Sequence, residues 1–136
     1  MRPSASAPPS AHPFTILIVD DVSDTRGMYG SYFTHVGAGT LLARDGAEAL
    51  EMIRLHRPDA VLMDLTMPRM TGWELVKALR GEPETAGLPV VAISGHVAPG
   101  VQEAILAAGA DLFLSKPCLP HVAFNFILQL VRERQA

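Results

Sequence analysis

Five short apolar runs, each closed by a charged or oxygen-bearing residue, alternate with segments of helical period from Phe14 onward, and this alternation restricts the fold more than any other feature. The runs are Ile16-Leu17-Ile18-Val19 before Asp20-Asp21, Leu41-Leu42-Ala43 before Arg44, and Ala60-Val61-Leu62-Met63 before Asp64. Val90-Val91-Ala92-Ile93 before Ser94 and Leu112-Phe113-Leu114 before Ser115-Lys116 complete the set. Near-continuous apolar strands are those of a sheet covered on both faces, and strands alternating with helices make βα units and a parallel sheet. The hydrophobic share of 49% fits such a sheet. At 136 residues the chain fits one domain of this kind, with no attached output module expected.

The helical segments carry their own punctuation. The first, about Val22 to Val36, sets Val22, Tyr29, Tyr32, Phe33 and Val36 on one face, although Gly27 and Gly30 each weaken it by roughly 1 kcal/mol relative to Ala. The second starts at Asp45 with Glu48 three residues on, as in a capping box, turns Leu50 and Ile53 inward and stops at Arg57-Pro58. The third starts the same way at Thr71 with Glu74 and runs to Gly81. The fourth is predicted from Pro99, in the first helical position, to Ala108, and the fifth from Leu119 to Arg134. Residues 1–13, rich in Pro, Ser and Ala, read as a flexible tail, leaving residues 14–134 as the folded domain.

Several function classes lose support at once. A formal charge of -3 gives no broad attraction to nucleic acid or an anionic membrane. No apolar run approaches the roughly 18 residues of a membrane span, and the single cysteine, Cys118, allows no intrachain disulfide, so a cytoplasmic location is expected. Neither G-x-G-x-x-G nor a P-loop is present, and His12, His35, His56 and His121 lack metal-ligand spacing.

In a parallel sheet the C-terminal strand ends lie along one edge, which brings three carboxylates, a hydroxyl and an ammonium towards one place. Two carboxylates about 4 Å apart repel by roughly 4 kcal/mol at an effective dielectric of ~20, so Asp20, Asp21 and Asp64 favour a divalent cation, and oxygen-only ligands suit Mg²⁺. Asp64 ends the most apolar strand before the loop Leu65 to Gly72, where a carboxylate can act as a nucleophile towards phosphorus. Lys116 can offset charge on the transferred group, Ser94 can donate to a phosphoryl oxygen, and Gly95 leaves space and offers its N–H. Taken singly, Asp20-Asp21 reads equally as a helix cap, Ser94 as a turn former, Lys116 as a solvated charge and Phe113 as a core residue.

Taken together, the acidic pair Asp20-Asp21, the loop Asp64-x-x-Met67-Pro68-x-Met70-x-Gly72, Ser94-Gly95 and Lys116-Pro117 preceded by Phe113 resemble the receiver domain of the two-component response regulators. The resemblance covers about Phe14 to Val131. It implies an α/β, flavodoxin-like, doubly wound five-stranded parallel sheet in the order 2-1-3-4-5 with five helices. It also implies that Asp64 is the phosphoacceptor, that Asp21 and Asp64 ligate Mg²⁺ with Asp20 acting through water, and that the Thr66 backbone carbonyl completes the protein ligands. Ser94 and Lys116 then bind the phosphoryl group, and Phe113 is the aromatic switch that follows Ser94. Thr66 and His96 occupy positions where the family varies the lifetime of the phosphate. Val22 and Cys118 depart from the usual family residues without touching this set.

The implied partners are a sensor histidine kinase or a phosphotransfer protein upstream, and a protein target or a second copy downstream. The surface of the fourth helix, fifth strand and fifth helix would make the downstream contact, with no direct nucleic-acid or membrane partner. In the fifth helix a stripe of Leu119, Val122, Phe126 and Leu130 is extended around the cylinder by Phe124, Ile127, Leu128 and Val131. That exceeds one core face, so a homodimer or partner contact is expected there, with Phe124 and Leu128 in it. An unphosphorylated receiver-like adaptor is the alternative. A haloacid-dehalogenase-like phosphatase is disfavoured because Thr66 stands where its second acid belongs. The chain reads as a stand-alone receiver or as a piece of a larger regulator or hybrid kinase.

Overall fold

The structure is a computed structural model that describes residues 14–67, 70–95 and 98–135. The expected tail, Pro68 of the loop motif and His96 lie outside the described residues. Five strands, β1 (Thr15–Val19), β2 (Gly39–Ala43), β3 (Ala60–Asp64), β4 (Val90–Ser94) and β5 (Leu112–Ser115), alternate with five helices. The helices are α1 (Ser23–His35), α2 (Gly46–His56), α3 (Gly72–Arg80), α4 (Val101–Ala108) and α5 (Pro120–Gln135). All strand pairs are parallel and the order is β2-β1-β3-β4-β5, as the resemblance implies.

Successive strand residues point to opposite faces, and here each face has its own core. Leu17, Val19, Val61, Met63, Val90 and Ala92 pack with Ile53, Leu75, Leu79 and Ile105, so α2, α3 and α4 cover one face. Ile16, Ile18, Leu62, Val91 and Ile93 pack with Tyr29, Phe33, Ala123 and Ile127, so α1 and α5 cover the other. Every residue of β3 and β4 is buried, which is why these strands read as unbroken apolar runs. Each fully buried Leu or Ile contributes about 1.5–3 kcal/mol.

The helix starts carry the caps the sequence predicts, with one change. Thr71 Oγ1 accepts from the Glu74 N–H at 3.2 Å and Glu74 Oε1 accepts from the Thr71 N–H at 2.9 Å, a complete capping box. At α2 the Asp45 carboxylate accepts from the Glu48 N–H at 2.8 Å, but Glu48 reaches back one residue further, to the Arg44 N–H at 2.9 Å.

Two expectations are corrected. α4 begins at Val101 rather than Pro99, because Gly100 adopts a left-handed conformation (φ 88°, ψ -10°) and the Val101 N–H donates to the Ala98 carbonyl at 3.1 Å. Pro99-Gly100 thus fills the two central positions of a type II turn, ahead of the helix. On α5 the inward residues are Ala123, Ile127 and Val131, while Phe126 and, just ahead of the helix, Leu119 face out at 39% and 62% exposure. Phe124 and Leu128 are half-buried: the Phe124 ring lies 5.6 Å from that of Phe33 and 6.0 Å from that of Phe14, and Leu128 packs on the same cluster. Small Ala123 lets α5 approach the sheet, and Phe124 fills the space between α5 and α1.

At the opposite edge from the strand C-termini, Arg80 at the end of α3 donates to the carbonyls of Gly109 (2.9 Å), Thr85 (3.2 Å), Ala86 (3.1 Å) and Leu88 (2.8 Å). It also pairs with Asp111 at 3.2 Å, and Asp111 in turn accepts from the Val90 N–H and from Arg134 of α5. That edge is held closed by ion pairs and hydrogen bonds, which leaves the other to carry chemistry.

Candidate functional site

Asp20 directly follows β1, Asp64 and Ser94 are the last residues of β3 and β4, and Lys116 directly follows β5. Alternation along each strand puts Asp20, Asp64 and Lys116 on the face of Ile18, Leu62 and Leu114, while Ser94 shares the face of Ala92 and Phe113. The acids and the lysine therefore meet on the α1 side. Lys116 Nζ lies 3.1 Å from Asp20 Oδ2 and 3.1 Å from Asp64 Oδ2. One oxygen each from Asp20, Asp21 and Asp64 falls within 4.8 Å of the others.

Burial separates the three acids. Asp20 is 2% exposed and Asp64 8%, whereas Asp21 faces solvent. Backbone donors aim the buried pair: the Val22 N–H donates to Asp20 Oδ1 at 2.9 Å and the Thr66 N–H to Asp64 Oδ1 at 3.0 Å. Arg26, one turn into α1, donates to the Asp20 carbonyl at 2.7 Å. One ammonium among three carboxylates leaves the group formally with two net negative charges. Burial pulls the Lys116 pKa down, but the hydrogen bonds and charges of Asp20 and Asp64 outweigh it, and the net shift is upward. A compact, anionic, oxygen-only donor set open on the Asp21 side fits a hard divalent cation such as Mg²⁺.

Of the other predicted residues, Ser94, Gly95 and Thr66 lie against members of this group. Ser94 is buried at the end of β4, and the Lys116 N–H donates to its carbonyl at 2.9 Å. A Cβ placed on Gly95 would meet Lys116 Cβ at 3.7 Å, an ordinary contact, so Gly95 lies alongside the lysine stem. Thr66 is exposed beyond its N–H contact, and half-buried Phe113 packs on the α2–α3–α4 core. The Lys116-Pro117 peptide bond is cis.

Sequence reasoning gave no supporting role to three residues that hold the site. Arg26 is one. Tyr29 is another: its hydroxyl donates to the Cys118 carbonyl at 2.7 Å, and a tyrosine on a predicted inward face could have signalled the need for such a partner. The third is Gly72, where a Cβ would stand 2.7 Å from the Asp64 carbonyl oxygen, so the loop after Asp64 closes tightly on α3.

Residues 16–126 match the family model of the response regulator receiver domain. The chain is 33% identical over 105 residues to the polar-differentiation response regulator DivK of Brucella anthropi, covering 77% of this chain and 85% of that protein. Among solved structures, the chemotaxis response regulator CheY4 of Vibrio cholerae is similar with a TM-score of 0.79 and 30% identity, over 85% of this chain and 97% of that one. The receiver domain of a signal transduction histidine kinase from Syntrophus aciditrophicus is similar with a TM-score of 0.82 and 31% identity, over 88% and 91% of the two chains. Four polar side chains drawn from three strand ends thus meet in a chain whose matched region spans most of its length, and the chain belongs to the receiver domains of the two-component response regulators.

Proposed function

We propose that Asp64 accepts a phosphoryl group from a histidine kinase or a phosphotransfer protein, and that the aspartyl phosphate alters the contacts this domain makes with other proteins. The observation that carries the reading is the placement of Lys116 Nζ at 3.1 Å from both Asp20 and Asp64, with Asp21 open beside them. A carboxylate oxygen of Asp64 attacks phosphorus, the P–N bond to the donor imidazole breaks, and the imidazole nitrogen leaves with the electron pair. Lys116 and the Ser94 hydroxyl bind the phosphoryl oxygens, and the Gly95 N–H faces the same group. Asp20, Asp21, Asp64 and the Thr66 carbonyl would hold Mg²⁺, which supplies charge neutralisation at the phosphoryl oxygens. The domain assists its own phosphorylation and dephosphorylation without turning over a separate substrate.

The receiver unit is residues 14–134, and the cytoplasm is the expected location. Among the described residues no helix is long and apolar enough to cross a membrane. Ser94 and Phe113, on one sheet face, would relay the change to the surface of α4, β5 and α5. Exposed Leu106 on α4, with Leu119 and Phe126 at α5, supports a protein target or second copy there.

Incubation with acetyl phosphate tests the reading. Label labile to hydroxylamine and alkali, as an acyl phosphate is, is expected on the wild type only with Mg²⁺ and not on Asp64→Asn; an unlabelled wild type would leave the adaptor reading in its place.

A further inference from the structure

We propose that the Tyr29 hydroxyl is a positioning group for Lys116, holding the loop from which the ammonium reaches between Asp20 and Asp64. The inference rests on the phosphoacceptor reading only for its kinetic consequence; the placement itself can be read without any phosphate.

Lys116 leaves β5, an edge strand, with its N–H on the Ser94 carbonyl. Pro117 has no N–H to give, and helical hydrogen bonding resumes only with the Val122 N–H on the Leu119 carbonyl. Among the described residues, the hydrogen bond that ties the backbone of residues 117–119 to another element is the one from Tyr29 to the Cys118 carbonyl, 2.7 Å long and spanning 89 positions of sequence. Lysine has a flexible four-carbon stem, so an ammonium shared between two carboxylates at 3.1 Å each needs its own backbone held.

Tyr29 is suited to hold it. The residue is 2% exposed and its ring lies 6.0 Å from that of Phe33 within the α1–α5 core, so the hydroxyl has little freedom. Burial pushes the phenol up to about 12, which keeps it a donor through neutral and mildly alkaline pH. The same helix is fixed to the acids one turn earlier, where Arg26 donates to the Asp20 carbonyl. One rigid element, α1, thereby sets the distance between the acidic group and the lysine loop. Arg26 works through Asp20, and Tyr29 through Cys118.

Tyr29→Phe removes the hydroxyl and keeps the packed ring. Two measurements on the full chain test the proposal: the ε-CH₂ NMR resonance of Lys116, assigned with Lys116→Met, and the rate of Asp64 phosphorylation by acetyl phosphate with Mg²⁺. In Tyr29→Phe the resonance is expected to move towards that of exposed lysines, and the rate to fall about tenfold. In the Lys116→Met background the same change should alter the rate by less than about twofold, since the group it positions is gone. An unmoved resonance overturns the proposal, as does an equal loss of rate in both backgrounds, which would mark general loosening. A shifted resonance in a chain whose wild type takes no label would uphold the positioning role and remove the phosphoacceptor reading alone.

Discussion

Lys116 shares its ammonium with Asp20, a carboxylate 2% exposed, across 3.1 Å. The raised pKa of the lysine is a stability statement with a definite sign. A cation whose folded-state pKa lies above its unfolded value contributes stability that is fully present below the unfolded pKa and is lost as pH rises through the folded one. Wild type should therefore exceed Lys116→Met in urea by roughly 1–3 kcal/mol at pH 8, because the variant leaves two adjacent acids without their counter-charge. The advantage should hold up to the ordinary lysine value near ~10.4 and fade above it. Adding Mg²⁺ at pH 8 should narrow the gap.

The two glycines Gly72 and Gly27 should respond in opposite directions to alanine. A Cβ on Gly72 would stand 2.7 Å from the Asp64 carbonyl oxygen and 3.0 Å from Leu65 Cα, both backbone atoms that cannot swing aside. Gly72→Ala is expected to cost about 2–4 kcal/mol and to slow phosphorylation by displacing Asp64. Gly27, in the exposed interior of α1, has nothing within 4 Å of that position, so Gly27→Ala should raise stability by about 1 kcal/mol. Thermal unfolding of the pair measures both.

Thr71→Ala removes half of the capping box at α3, directly after the Asp64 loop. A loss of about 1 kcal/mol in urea is expected, with Thr71→Ser restoring most of it.

Arg80→Met deprives the carbonyls of Thr85, Ala86, Leu88 and Gly109 of their donor and takes one of two cations from Asp111. The expected loss is about 1–3 kcal/mol, with faster hydrogen exchange in the loop over residues 82–89, since three part-buried acceptors go unmet at once.

The strands were legible because burial on both faces writes itself as unbroken apolar runs, and four of the polar side chains at their ends meet because parallel strands share an edge. Asp45 and Thr71 marked helix starts because their caps are local hydrogen bonds. Where the sequence permitted two local answers it misled: Pro99-Gly100 suits a helix start as well as a type II turn, and tertiary context chose the turn. The apolar positions spread around α5 left its rotation open, and only the fit of Ala123 and Phe124 against the sheet and α1 fixed it. The hydrogen bond from Tyr29 to Cys118 was beyond reach, because it depends on where two segments 89 residues apart come to rest.

α4 buries a single side chain, Ile105, and its last turn is gripped where Arg80 takes the Gly109 carbonyl. Its first turn hangs from Gly100, whose Cβ position is open space. Val101 still packs on the core at that turn, so a displacement of α4 would be opposed by Val101 and Ile105 along the helix and by the Arg80 clasp just past Ala108.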